Sequence, residues 1–200
     1  MKLIPGDILL IHTFEGILPK TVQKFQMKAD AEAGYYNHSA RYFGKVDGVD
    51  IIFGAEEKDW DDNKGKLKNA SACFNPLEIY LNASKYKILV LRSKTSYNEA
   101  RIQMLMMKWS GAPYDFKNLL GDQLMQYWTG WWWGRKKKNA AKLMLCHELT
   151  MKTDNEYSGR FPDWNRGRVA DEYRDPSFDH YNLYVHPSGD WWVEKQTIKK

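Results

Sequence analysis

The chain has 200 residues and a mass of 23.5 kDa, the length of one domain, and can bury roughly 70% of its unfolded surface without disulfide or metal staples. Hydrophobic residues make up 43% and mean hydropathy is −0.66, no apolar run nears the roughly 18 residues of a spanning helix, and Pro5, Gly6 and Asp7 interrupt any secretory h-region. Composition thus argues against an integral membrane protein, a collagenous chain and a disordered one, and leaves nine Trp, twelve Tyr and eight Phe with a net charge of +5 to explain.

In chain order, a Pro5-Gly6 turn feeds a predicted strand over 7–12. Residues 20–33 place Val22, Phe25 and Ala29 at helical spacing, and Gly34 is expected to end that helix. Two β-rich runs, 38–44 and 49–55, flank Asp47-Gly48, the strongest hairpin signal in the chain. Residues 57–72 are polar and rich in Asp, Lys and Asn, which predicts a surface loop. "YKILVLRS" (86–93) is nearly continuous in apolar character, as in a strand buried on both faces.

A helix is predicted over 96–111, with Ser96 as its N-cap, Ile102, Leu105, Met106 and Trp109 on one face, and Gly111 closing it. Further helices are predicted near 115–128 and 141–153, and a strand over 181–186 before a Trp-containing end. Helices and strands mix without βαβ alternation, so the expected class is α+β, in one domain spanning 1–200. No repeat of period 20 to 50 is present.

Cys73 and Cys146 are the two cysteines. They fit neither a disulfide-dense domain nor a Cys-x-x-Cys metal site, so two free thiols are expected, with a single disulfide as the alternative. Cys146 is the candidate nucleophile, because "CHELTMKT" reads as helix. A thiol at a helix N-terminus is drawn toward thiolate, and the first-turn amides there suit an oxyanion. The plain alternative is a buried cysteine acting as a small hydrophobe.

Of the five histidines, His12, His38, His147, His180 and His186, His38 opens the first strand of the hairpin, a rigid place from which to reach a cleft. His147 adjoins Cys146, but neighbouring side chains on a helix diverge by about 100°, so it is not expected to face the thiol. "HELTM" lacks the second His of the zinc-peptidase helix, and neither a metal nor a cofactor is expected. An orienting group is expected on the strand paired with His38. A three-residue loop of Val46, Asp47 and Gly48 would set His38 opposite Glu56. A two-residue Asp47-Gly48 turn would set it opposite Glu57.

Taken in order, "PGDILL", "NHSARYFG", a second strand, "GAPYDF" and "LCHEL" resemble the circularly permuted papain-like branch of the NlpC-type cysteine peptidases and amidases, over about residues 5–155. The resemblance implies a permuted papain-like fold, a small antiparallel sheet or partial barrel packed against helices, with the base ahead of the nucleophile in the chain. It implies Cys146 as nucleophile and His38 as base. Glu56 is the third member by proximity, since Gly54 stands before Ala55 where the family often carries an acidic residue. The family often has Cys-Ser-Glu where this chain has Cys146, His147 and Glu148. Tyr114 and Asp115 match a motif assigned to shaping the cleft.

The implied activity is thiol-dependent acyl transfer on an amide, with peptidoglycan stem peptides as the first substrate class. The related lecithin:retinol acyltransferase group makes lipid amide or ester chemistry a second expectation. A non-catalytic binding or structural protein that keeps the fold is a third.

The charge excess is local. Segment 131–145 holds Arg135, Lys136, Lys137, Lys138 and Lys142 with no acidic residue, and without them 25 basic residues balance 25 acidic ones. This Trp/Lys-rich stretch reads as an insertion at about 125–142. Trp131, Trp132 and Trp133 are candidate substrate-binding residues. Trp128–Lys138 suits an anionic membrane surface or a cell-wall polymer. Nucleic acid is not the expected partner, because its binders spread basic residues over a face or stripe. Packing of these tryptophans onto the domain is the plain alternative. The expected location is the cytoplasm, or the cell envelope for a bacteriophage component.

Overall fold

The apolar runs pair into one antiparallel sheet of seven strands in the order β6-β3-β2-β1-β7-β8-β9. The computed structural model describes residues 1–14, 23, 27, 30–56, 59–61, 66–68, 71–113 and 145–196, with the backbone alone for 56, 59–61, 66–68 and 166. The strands are β1 (Ile8–Thr13), β2 (His38–Val46), β3 (Val49–Glu56), β6 (Ser71–Pro76), β7 (Tyr86–Ser93), β8 (Phe178–Val185) and β9 (Trp191–Lys195). A separate two-stranded ribbon joins β4 (Asp59–Asp61) to β5 (Lys66–Lys68). The α-helices described over their full length are α1 (Glu99–Trp109), α2 (Cys146–Ser158) and α3 (Val169–Arg174), and Gln23 and Met27 are also helical. The class is α+β, as expected.

β1 and β7 are central neighbours, and Ile8–Ile11 and Ile88–Leu91 are buried throughout. Strands covered on both faces need no alternation, which is why both read as continuous apolar runs. On one face Leu9, Ile11, Ala40, Tyr42, Ile52 and Val90 form a cluster closed by Leu3 and Leu77. On the other face, Ile8, Leu10, Leu89 and Leu91 pack under Val169, Ala170 and Tyr173 of α3. Beside them Phe53, Ala55 and Ala72 meet Ile102 and Met106 of α1, and Cys146 and Leu149 of α2. The same face therefore carries the helix that begins at the candidate nucleophile.

The β2–β3 hairpin resolves the two registers left open by the sequence. Val46 pairs with Val49, so the turn has two residues, Asp47 (φ +50°) and Gly48 (φ +84°). Both stand in the left-handed region that such turns require. Between the Tyr42–Ile52 and Gly44–Ile51 pairs, however, Phe43 is an extra residue on β2. This bulge shifts the register by one, and the carbonyl of Phe43 accepts from Gln103 Nε2 at 2.7 Å. Beyond it Ala40 pairs with Gly54, a register that, continued, sets His38 level with Glu56 rather than Glu57.

Several expectations need correction. Residues 71–76, the first two of which fell in the predicted loop 57–72, form β6, which pairs along β3 from Ile51–Pro76 to Glu56–Ser71. The N-cap of α1 is Asn98 rather than Ser96; its Oδ1 accepts from the Arg101 amide at 3.0 Å. Gly34 lies inside a 3-10 turn, Ala33–Tyr35, held by the Asp30 carboxylate on the Ala33 amide, instead of ending a helix. Most of the predicted 20–33 helix, and all of 115–128, lie outside the described residues. α3 had no counterpart in the sequence reading. No helix among the described residues is long and apolar enough to cross a membrane.

Candidate active site

Nine consecutive residues of α2, Cys146 through Asp154, are buried, including Glu148, Thr150, Lys152 and Asp154. A helix this enclosed must satisfy its polar groups inside the protein. Steps of four along it, Cys146, Thr150 and Asp154, fall on one stripe. Opposite them on β2, Ser39 and Arg41 share a strand face. The Asp154 carboxylate and the Arg41 guanidinium form an ion pair at 2.8 Å, both side chains fully buried. Arg41 also donates to the carbonyls of Gly6 (2.7 Å) and Thr150 (2.9 Å), and Tyr97 Oη donates to Asp154 at 2.8 Å. One turn earlier, the Ser39 and Thr150 hydroxyls are 3.0 Å apart. Both bond the Glu172 carboxyl of α3, Ser39 at 2.8 Å.

One turn earlier again stands Cys146, 6% exposed, as the first residue of α2. The Glu148 carboxylate accepts from the Leu145 amide at 2.9 Å and fixes the helix start. Burial pushes the thiol up. The charge of His38, with hydrogen bonds from His147 and His38, outweighs burial and brings the thiol down to about 5. The ring of His38 stacks on Tyr80, centroids 6.0 Å apart and planes at 22°. Cys146 and His38, 108 positions apart in the chain, thus meet at the end of β2 and the positive end of a 13-residue helix.

His147 corrects the sequence reading, because its imidazole hydrogen-bonds the Cys146 thiol. The 100° divergence applies to side-chain roots. At a helix start no preceding turn restricts the His147 side chain. Burial lowers the affinity of His147 for its proton, but the thiolate contact and the charges of Glu148 and Glu172 raise it further, and the net shift is upward. Glu172 is pushed up to about 8, mainly by burial, against the bonds from Thr150 and Ser39 and the charges of His147 and Arg41.

The structure therefore brings together Cys146 and His38. The β2–β3 register, observed as far as Ala40–Gly54, would place Glu56 level with His38 if continued by two residues, while the Glu56 side chain, Tyr114, Asp115, Trp131, Trp132, Trp133 and the whole of Trp128–Lys138 lie outside the described residues. The remaining histidines are engaged elsewhere: His12 bonds the Tyr35 carbonyl at 2.8 Å, His180 packs on Tyr173, and His186 meets Ser188 at 2.8 Å. Cys73 and Cys146 are both free thiols. No cluster of three or more His, Cys, Asp or Glu among the described residues would hold a metal ion. The sequence reading missed Ser39, Arg41, Thr150, Asp154 and Glu172. The i, i+4, i+8 spacing of Cys146, Thr150 and Asp154 was the available signal.

No family model, curated protein or solved structure matches the chain. The resemblance to permuted papain-like enzymes thus rests on the quoted motifs.

Proposed function

We propose that the chain is a cysteine-dependent acyl hydrolase, an amidase or peptidase of permuted papain-like arrangement, with Cys146 as nucleophile and His38 as base. The observation that carries this is the thiol at the start of α2 in hydrogen-bonding contact with the imidazole that opens β2. His38 takes the thiol proton, and the thiolate attacks an amide carbonyl. The first-turn amides and helix dipole stabilise the oxyanion. His38 then protonates the leaving nitrogen, and water, deprotonated by His38, releases the acyl group. Tyr80, stacked on the ring, holds its plane. Glu56, level with His38, is the proposed third member. Peptidoglycan stem peptides and related amides are the proposed substrates.

The test is labelling by a thiol-directed acyl probe together with hydrolysis of purified cell wall. Cys146→Ala should abolish both. His38→Ala should abolish hydrolysis. Unchanged labelling in Cys146→Ala would exclude the assignment.

A further inference from the structure

The sheet ends at β8 and β9, and there two large aromatic side chains stand exposed. Tyr184 and Trp192 are paired across the strands, each 42% exposed. Their rings stack, centroids 5.5 Å apart and planes at 22°. Tyr184 lines a cavity of about 460 Å³ that Trp192 does not, so Trp192 backs the ring from the far side and leaves its other face open. Every second strand residue, and its direct partner on the next strand, share a face. Asn182 therefore stands beside Tyr184, and Gln196 follows on β9's side of the ladder, where its amide donates to the His180 carbonyl at 2.9 Å.

Both amide side chains belong to residues lining the cavity, and Phe14 adds a further exposed ring. Gln196 Oε1 is buried and has no hydrogen-bond partner among the described residues, so the fold does not use this acceptor. None of the described lining residues is acidic, and the one cation, Lys87, holds its ammonium 5.3 Å from the centre of the Tyr35 ring. Rings alone would suit a hydrocarbon. An apolar ligand, however, would cover the Asn182 and Gln196 amides without pairing them, which is unfavourable. A sugar ring meets both demands: its C–H faces lie on aromatic rings, and its hydroxyls both donate to and accept from side-chain amides.

We propose that this groove is a binding site for a neutral saccharide, with the open face of Tyr184 as its platform and Asn182 and Gln196 as its hydrogen-bonding groups. Its volume falls within the roughly 300–1,000 Å³ of small-ligand sites. Tyr80 lines the same cavity and stacks on His38, so the groove adjoins the candidate thiol site. Binding there does not require Cys146 to be the nucleophile.

The test is titration of the intact chain with chitotetraose and with maltotetraose, neutral oligosaccharides with and without acetamido groups, followed by saturation-transfer NMR. At least one is expected to bind. Tyr184→Ala should weaken that binding about tenfold, while Tyr184→Phe, which keeps the ring, should hold it within about twofold. Asn182→Ala should weaken it about two- to tenfold. Circular dichroism checks the fold of each variant, and should Tyr184→Ala misfold, Asn182→Ala decides.

Octanoate serves as the apolar competitor. Failure of both saccharides to bind, whether or not octanoate does, overturns the proposal. So does saccharide binding that Tyr184→Ala and Asn182→Ala leave unchanged. No turnover is measured, so an inactive thiol leaves these outcomes unaltered, and an empty groove leaves the thiol chemistry standing.

Discussion

Replacing Asp154 by Asn tests whether the helix carrying Cys146 is fastened to the strand carrying His38 by charge. The carboxylate accepts from Arg41 at 2.8 Å and from Tyr97 Oη at 2.8 Å, and it stands 3.4 Å from Arg160. Asn keeps the shape and one acceptor but leaves the guanidinium of Arg41 in a fully buried site without a counter-charge. Removing one partner of a buried pair costs about 3–5 kcal/mol. For a domain of this length, each kcal/mol lowers the melting temperature by about 2–4 °C, so a fall of about 6–20 °C is expected.

Urea unfolding followed by tryptophan fluorescence gives the free energy directly. The companion Arg41→Met with Asp154→Leu removes both charges. It still strands the Gly6 and Thr150 carbonyls, at about 1–3 kcal/mol each. Its cost should therefore be clearly less than the sum of the two single changes. A loss under about 1 kcal/mol in Asp154→Asn, or strict additivity in the double variant, would refute the fastening.

Two further tests separate electrostatics from backbone geometry. Glu172 ionises near 8 in the folded chain against an ordinary 4.5, so between those values the folded state holds the extra proton. Its contribution to stability is complete below about 4.5 and is lost as pH rises through about 8. Glu172→Gln removes that dependence, so urea unfolding at pH 5, 6.5 and 8 should show the variant gaining steadily on the parent; a pH-independent gap would place Glu172 among ordinary carboxylates. In the backbone test, Gly48→Ala meets open space and suffers only its φ of +84°, at about 1 kcal/mol. Gly6→Ala adds to its φ of +99° a Cβ 2.6 Å from the Tyr97 ring, and should cost about 2–4 kcal/mol. Equal melting shifts for the two would show that Tyr97 yields freely.

What could be read in advance follows from how locally each element is encoded. Asp47-Gly48 fixes its turn through its own φ preferences, and the 86–93 run declares itself by lacking polar residues, so both were legible. The bulge at Phe43 was not, because the glycine that follows it, Gly44 (φ +134°), looks like any strand glycine until its partner is known. β6 was hidden for a similar reason. "SACFNP" is half-polar at an edge, where only pairing with β3 makes it a strand. At the candidate site, Cys146 and His38 were singled out through motif order. Ser39 and Arg41 escaped because polar residues alternating on a strand normally mark its solvent face. Here a helix with a buried polar stripe covers them, and the two patterns are uninformative until superposed.

That superposition explains how α2 is fixed along β2. Four residues of helix rise about 6 Å, and two residues of strand advance about 6.8 Å. A helix running alongside a strand in the same direction can therefore match every turn to every second strand residue. Asp154 with Arg41 and Thr150 with Ser39 are two such matches. The next step down α2 is Cys146, whereas β2 begins at His38, one residue before Ser39 and on the other strand face, so the strand offers no third partner in this series. The first two contacts are closed on both sides, by an ion pair and by hydroxyls tied to Glu172. Cys146 stands one turn beyond them, where α2 begins beside the start of β2. Two structural rungs thus set where Cys146 stands, and its contact with His38 is made around the start of the strand rather than as a third rung.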